Sequence, residues 1–343
     1  MTGFWRLARR HGAFRARAGR KNLPVRDDLL DGVLPLRAGD VARAQILFRS
    51  LESLFEPLRT CYVVVPDGEA AGVRRQLPRN RYELVRESDV LPEAGWFRRT
   101  AEVRAKLHLV GPPIHGWYVQ QLVKLAAAEH VGTRFYVTLD ADVVCVRPTA
   151  YRDLVRDGRG IVQTTPPNHP EWNDDAERVL GLPRSAEQYA VTPAVLSCDV
   201  VGALARHLER RVDPRLRRLG ARLPRGRARD VAASWRSFLF RGLPWTEYAV
   251  YFTFAERTGL FERYHEHGGE DAIYGNCVWM EGQFADWRPA PVAPFSVVQS
   301  ATRISPELVW AKLEPELARS ATNLATASSS GSSSQPRSLP STL

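Results

Sequence analysis

The sequence predicts an α/β fold built on a mostly parallel sheet flanked by helices. Short runs rich in β-branched and aromatic residues, such as Tyr62-Val63-Val64-Val65 and Phe135-Tyr136-Val137-Thr138-Leu139, read as strands buried on both faces. Between them lie segments whose apolar residues recur at helical spacing, so strands and helices alternate along the chain. Composition agrees. With 343 residues, 44% hydrophobic and 25% charged, the chain is of globular type and long enough to bury a core without disulfides or a structural metal.

Residues 1–26 form a basic arm, expected to be disordered or to lie on a membrane surface. Leu34-Pro35-Leu36 ends a first strand, and Asp40 is placed to cap a helix reaching about Phe55. Ile46, Leu47, Leu51, Leu54 and Phe55 make its apolar face. The Tyr62–Val65 strand is closed by Pro66-Asp67-Gly68, with a short helix around Glu69–Gln76 and a strand at Tyr82–Val85 after it. A helix over Trp117–His130 stops toward Gly132 and leads into the Phe135–Leu139 strand. Further strands are expected near Gly160–Thr164, Val191–Ser197 and Phe295–Gln299, with helices from Asp199 and from Thr246. From Ser320 on, Ser, Thr, Gly and Pro dominate, which predicts a disordered tail. The organisation is therefore an arm (1–26), one domain (27–316) and a Ser-rich tail (317–343).

Net charge is +10, and of 48 basic residues only Lys21, Lys106, Lys124 and Lys312 are lysines. An arginine bias that strong reflects codon composition as much as function, so its distribution carries more weight. Eight Arg or Lys and no acid lie between Arg6 and Arg26, and a second cluster runs from Arg206 to Arg229 against only Glu209 and Asp213. Such clusters suit phosphate-bearing partners, including an anionic membrane surface. The second contains no aromatic residue, which argues against single-stranded nucleic acid. Cys61, Cys145, Cys198 and Cys277 show no metal-binding spacing and read as small buried hydrophobes. With no secretory h-region near the start and no apolar run long enough to span a bilayer, the expected location is the cytoplasm or the inner membrane face.

Asp140-Ala141-Asp142 is the motif that carries chemistry. A DxD triplet arises about once by chance in a chain of this composition, so its place matters more than its spelling. It falls at the C-terminal end of a buried strand, where open α/β sheets bind ligands. Two carboxylates there repel each other and lose hydration, a conflict that Mg²⁺ or Mn²⁺ resolves by taking one or two of them together with water and substrate phosphates. The bland alternative is a strand-end turn that uses Asp for local capping.

The segment Phe135-Tyr136-Val137-Thr138-Leu139-Asp140-Ala141-Asp142-Val143-Val144 resembles the DxD segment of GT-A-fold nucleotide-sugar glycosyltransferases. Gln120, Gln121 and Lys124 upstream and Arg147-Pro148 downstream agree with it. The span Val33–Pro315, with Trp245-Thr246-Glu247-Tyr248 and Val297-Val298-Gln299-Ser300, is similar to a bacterial family of uncharacterised glycosyltransferase-like proteins. The resemblance implies a GT-A fold, Mn²⁺ or Mg²⁺ as cofactor, and a nucleotide-sugar donor with an acceptor left undefined. Asp140 would face the ribose or the metal through water, and Asp142 would ligate the metal. His265 is a candidate third ligand, with His267 beside it, because several GT-A families use a downstream histidine.

Glu247 is the first residue of a helix capped by Thr246; it either complements the helix dipole or serves as an acceptor-side base framed by Trp245 and Tyr248 as sugar-stacking surfaces. Gly268-Gly269-Glu270-Asp271 resembles a segment of some inverting galactosyltransferases, which makes Asp271 the rival base and a polar turn its plain reading. Gln121 and Lys124 share a helical face before the DxD strand and could reach the donor, as could Asp67 at the end of its strand. Two other classes stay open. One is a non-catalytic protein binding anionic lipid or nucleic acid through its arginines. The other is a haloacid-dehalogenase-type phosphatase with Asp140 as nucleophile, a class that needs a lysine and an acidic pair downstream.

Overall fold

The computed structural model describes residues 28–95, 116–189, 191–212, 234–240, 244–288 and 293–330. The basic arm and residues 213–229 of the second arginine cluster lie outside them.

Strand β1 (Leu30–Pro35) is buried along its whole length, and α1 (Val41–Leu54) begins where Asp40 predicts, although the Asp40 side chain makes no capping hydrogen bond. Then come β2 (Leu58–Val65), β3 (Tyr82–Arg86), α2 (Gly116–Ala126) and β4 (Phe135–Thr138). Gly132 is not the stop of α2. The helix ends at Ala126 with one 3-10 turn to Glu129, and Gly132 lies under the Arg59 guanidinium, where any side chain would collide. Gly132 N and Arg59 both bind the fully buried Asp31 of β1, so that carboxylate is spent on structure.

Beyond β4 the strands are short: β5 (Val143–Cys145), β6 (Val155–Arg156), β7 (Arg159–Val162), β8 (Thr164–Thr165), β9 (Gln188–Tyr189) and β10 (Ala194–Ser197). Helix α3 (Pro170–Leu180) precedes β9, and α4 (Cys198–Arg211) and α5 (Glu247–Arg257) come after β10. After them come β11 (His265–His267), β12 (Phe295–Val297) and α6 (Pro306–Ser330), and short helical segments lie at Ala70–Arg74, Glu87–Val90, Trp235–Leu239 and Phe261–Tyr264.

The central sheet has the order β10-β4-β1-β2-β3. β1 runs parallel to β2 and β4, β2 runs parallel to β3, and β10 is antiparallel to β4. The chain leaves β1 toward β2 and β3 on one side and returns to β4 on the other. That reversal opens a crevice at the C-terminal ends of β1 and β4, the usual ligand position in open α/β sheets. A single sheet was expected, but the later strands form three small sheets, β11-β7-β6, β12-β5 and β8-β9. The turn at Asp140–Asp142 carries the chain off the central sheet, and β5 then pairs antiparallel with β12 instead.

Helix α5 is buried from Glu247 to Ala255, as a helix apolar on nearly all sides must be. It packs against α2, α3 and α4, while α6 packs on α1. Helix α6 runs to Ser330, past the boundary expected at 316, and alanines at 318, 321, 325 and 327 favour its continuation. Among the described residues no helix is long and apolar enough to cross a membrane.

Candidate functional site

Leu139 continues the register of β4, its N–H donating to Val33 O at 2.9 Å, and Asp140-Ala141-Asp142 then turns sharply into β5. Val143 N closes the turn on Asp140 O at 3.1 Å, and Val298 N binds Asp142 O at 3.0 Å. The Asp142 side chain is held as well, its Oδ2 accepting from Ser300 N at 2.8 Å. Burial, reinforced by the charge of Asp140, holds the Asp142 carboxyl above its ordinary range, and the Ser300 N–H opposes the shift.

Helix α2 directs Lys124 into the protein beneath these aspartates. Its Nζ lies 2.9 Å from Asp140 Oδ1 and 3.0 Å from Oδ2, 2.6 Å from Thr192 Oγ1 and 3.1 Å from Glu247 Oε1. Burial works against the ammonium charge, but Asp140, Tyr248 and Glu247 outweigh it and raise Lys124 well above the ordinary lysine value. The site therefore favours the ammonium form, whose charge offsets one of the carboxylates around it. Asp140 remains open to solvent, with 35% of its side chain exposed.

Glu247 comes from the first turn of α5. Thr246 caps that helix through Oγ1, which accepts from Ala249 N at 3.2 Å, and Gln121 Oε1 accepts from Glu247 N at 2.9 Å. Gln121 Nε2 is buried and has no partner among the described residues, so the site holds one unspent amide donor. Burial raises the Glu247 carboxyl and the charge of Asp140 adds to the rise, against the pull of Lys124. Tyr248 Oη completes the cluster, 2.6 Å from Thr192 Oγ1 and 2.9 Å from Thr138 Oγ1.

A recess of about 170 Å³ opens at the ends of β1 and β2, lined by residues that include Arg37, Val64, Pro66, Glu87, Trp117 and Gln120. It is smaller than the roughly 300–1,000 Å³ of typical ligand sites, so it has room for part of a ligand only. Arg37 is held there by Glu69, with Nη2 at 2.7 Å from Oε1. Asp67 adjoins Pro66 at the rim and accepts from Ser88 Oγ at 2.5 Å.

The sequence matches, over residues 28–321, the group described as a family of unknown function, DUF6492. The chain belongs to that family. No curated protein matches it.

In this DUF6492 chain the fold joins Asp140, Lys124, Glu247 and Gln121 in one cluster, with Asp142 beside them. It does not bring in the other candidates. His265 is a core residue: its Nε2 accepts from Tyr251 Oη at 2.8 Å and its Nδ1 faces Gly160 O at 3.3 Å. With both ring nitrogens engaged among Phe135, Phe252 and Phe261, it is not available as a metal ligand. His267, two residues on, shares the face of His265 and rests on Phe261, but it lies at the exposed end of the strand. Asp271 sits in a left-handed turn at φ 54° with its carboxylate folded against Gly275, and no hydrogen bond among the described residues links it to the cluster. Trp245 and Tyr248, expected as sugar-stacking surfaces, are both buried. All four cysteines are free.

Thr192, Thr138 and Ser300 are site residues that sequence reasoning missed as such. Ser300 lay in a segment already singled out, whereas Thr192 carries no local signal at all. For a divalent cation the donor set fits: two carboxylates with hard oxygens, one oxygen of Asp142 free of Ser300, and more negative charge than Lys124 cancels. Among the described residues no group of three His, Cys, Asp or Glu is arranged around a metal position. Asp140 and Asp142 would therefore share the ion with water and ligand oxygens, as Mg²⁺ and Mn²⁺ commonly allow.

Proposed function

We propose that this chain is a metal-dependent glycosyltransferase of GT-A architecture, moving a sugar from a nucleotide-sugar donor to an acceptor hydroxyl. The observation that carries the reading is the place of Asp140 and Asp142. They stand outside the carboxyl end of a central parallel strand, beside the crevice where the strand order reverses. The recess at the ends of β1 and β2 opens on the same edge of the sheet and suits one end of the donor, with Trp117 and Gln120 in its wall.

The protein's own groups divide the work. Asp140 and Asp142 would hold a divalent cation, which supplies charge stabilisation to a departing diphosphate. Lys124 pairs with both oxygens of Asp140 and fixes that carboxylate in direction. Glu247, only 4% exposed and bonded through Oε1 to Lys124, anchors that lysine rather than meeting an acceptor. It is accordingly a positioning residue in this account. Gln121 Nε2 offers the remaining donor for a bound oxygen. The phosphatase alternative has less support, because the lysine at Asp140 comes from upstream in the chain. The lipid- or nucleic-acid-binding alternative rests on arginines largely outside the described residues.

The experiment is turnover of a panel of nucleotide-sugars in Mn²⁺, read as release of the nucleoside diphosphate. Release that depends on Mn²⁺ and is lost in Asp142→Asn supports the reading. No release from any donor, with or without simple glycoside acceptors, overturns it.

A further inference from the structure

A second opening lies beside Asp142, separate from the recess and from the Lys124 cluster. It is an open cleft of about 420 Å³ lined by Trp279, Met280, Glu281, Ala301, Thr302 and Arg303. One wall, Ala301 to Arg303, follows Ser300 in the chain, and the Ser300 N–H is bonded to Asp142 Oδ2 at 2.8 Å, which ties that wall to the aspartate turn. The other wall is fixed against β12 through Val278 N to Val297 O at 2.8 Å and Gln299 N to Val278 O at 2.9 Å.

Trp279 is 40% exposed and Met280 65% exposed, as Trp117 of the recess is at 47%, whereas Trp235, Trp245 and Trp287 are buried. The exposure is imposed by the backbone. Gln283 Oε1 accepts from both Trp279 N at 2.8 Å and Met280 N at 2.9 Å, and this clamps the turn that displays the two side chains. A large aromatic held outward in a cleft beside a reactive centre marks a contact surface. Glu281 and Arg303 form no ion pair among the described residues, so each keeps its hydrogen-bonding capacity.

We infer that this cleft is the acceptor subsite and that it receives a neutral sugar ring. The inference rests on the glycosyltransferase reading. An indole face matches the C–H-bearing face of a pyranose, and a carboxylate and a guanidinium supply acceptors and donors for its hydroxyls. One charge of each sign leaves the cleft near neutral, which suits an uncharged occupant. In the transfer, the ring's hydroxyl oxygen bonds to the anomeric carbon of the donor. The bond from that carbon to the diphosphate oxygen breaks, the nucleoside diphosphate leaves with the electron pair, and the hydroxyl proton passes to solvent.

The test is saturation-transfer NMR on the full chain with the methyl glycosides of glucose, galactose, mannose and N-acetylglucosamine. Binding of UDP and GDP in Mn²⁺ is measured on the same samples. At least one glycoside should contact the wild type, bind about tenfold more weakly to Trp279→Ala, and recover in part with Trp279→Phe. Arg303→Ala, at an exposed position, provides a second variant should Trp279→Ala fold poorly, and it too should weaken the glycoside. Nucleotide binding should be the same in all variants. Contact with none of the four glycosides, or contact unchanged in both Trp279→Ala and Arg303→Ala, overturns the subsite. A blue shift on anionic vesicles that is lost in Trp279→Ala, without any glycoside contact, also overturns it, in favour of a membrane contact. Absence of nucleotide binding in the wild type is a different failure, that of the glycosyltransferase reading itself.

Discussion

Lys124 Nζ and Glu247 Oε1 lie 3.1 Å apart although 123 residues separate them in the chain. That one contact ties α2 to the first turn of α5, and its other arm reaches Asp140 at the mouth of the sheet. A buried cation between two carboxylates is sensitive to the loss of any partner, because what remains is an uncompensated charge.

Glu247→Gln should therefore act on binding and stability together. Removing one partner of a buried pair typically costs about 3–5 kcal/mol, and the loss should appear as a lower melting temperature with weaker nucleotide binding. A general base would behave differently: kcat would drop about 10²- to 10⁴-fold with donor binding and melting temperature near normal. Steady-state kinetics beside a thermal melt separate the two. A fall confined to kcat would return Glu247 to the role of base.

Thr246→Ala should cost about 1 kcal/mol, the usual value of a lost N-cap. Because Glu247 is the next residue, the substitution should also weaken nucleotide binding slightly, by less than Glu247→Gln. Denaturant unfolding gives the stability change. No change at all would mean that the Gln121 contact to Glu247 N holds the helix start alone.

His265 gives the fold a pH dependence whose sign is fixed. Burial pushes its imidazole down from 6.5 to about 4, with the Gly160 carbonyl opposing. A depressed value means that the native state keeps the ring neutral. The stability this contributes is fully present above 6.5 and is lost as pH falls toward about 4, up to about 3 kcal/mol in all. Equilibrium unfolding between these limits should show the loss in the wild type and a flatter profile in His265→Asn, whose overall stability is lower. A profile as steep in the variant would assign the acid sensitivity to other groups.

The central strands were legible because a strand buried on both faces has to be a continuous apolar run, as Val63–Val65 and Phe135–Leu139 are. Asp140 and Asp142 were legible because they end such a strand. Glu247 could be placed at a helix start from Thr246 alone, since an N-cap is a local signal. Its pairing with Lys124 could not be read, because nothing in either segment records the other. His265 misled for a related reason. In His265-Glu266-His267 the polar spelling suggests a solvated loop, yet the segment is a strand and alternation sends His265 into the aromatic core. Trp245 and Tyr248 look like a sugar platform in the sequence, but Tyr248 lies on α5, which other helices surround, and Trp245 just before that helix is buried as well.

Nucleotide and metal are expected to meet at Asp140 and Asp142. Isothermal titration of UDP and GDP into the wild type, Asp140→Asn and Asp142→Asn, each with and without Mn²⁺, tests this directly. Binding is expected to the wild type only when Mn²⁺ is present, more weakly to Asp140→Asn, and not at all to Asp142→Asn, with all three proteins folded by circular dichroism. Nucleotide binding to Asp142→Asn equal to that of the wild type would contradict it, as would the absence of any nucleotide binding to the wild type in Mn²⁺.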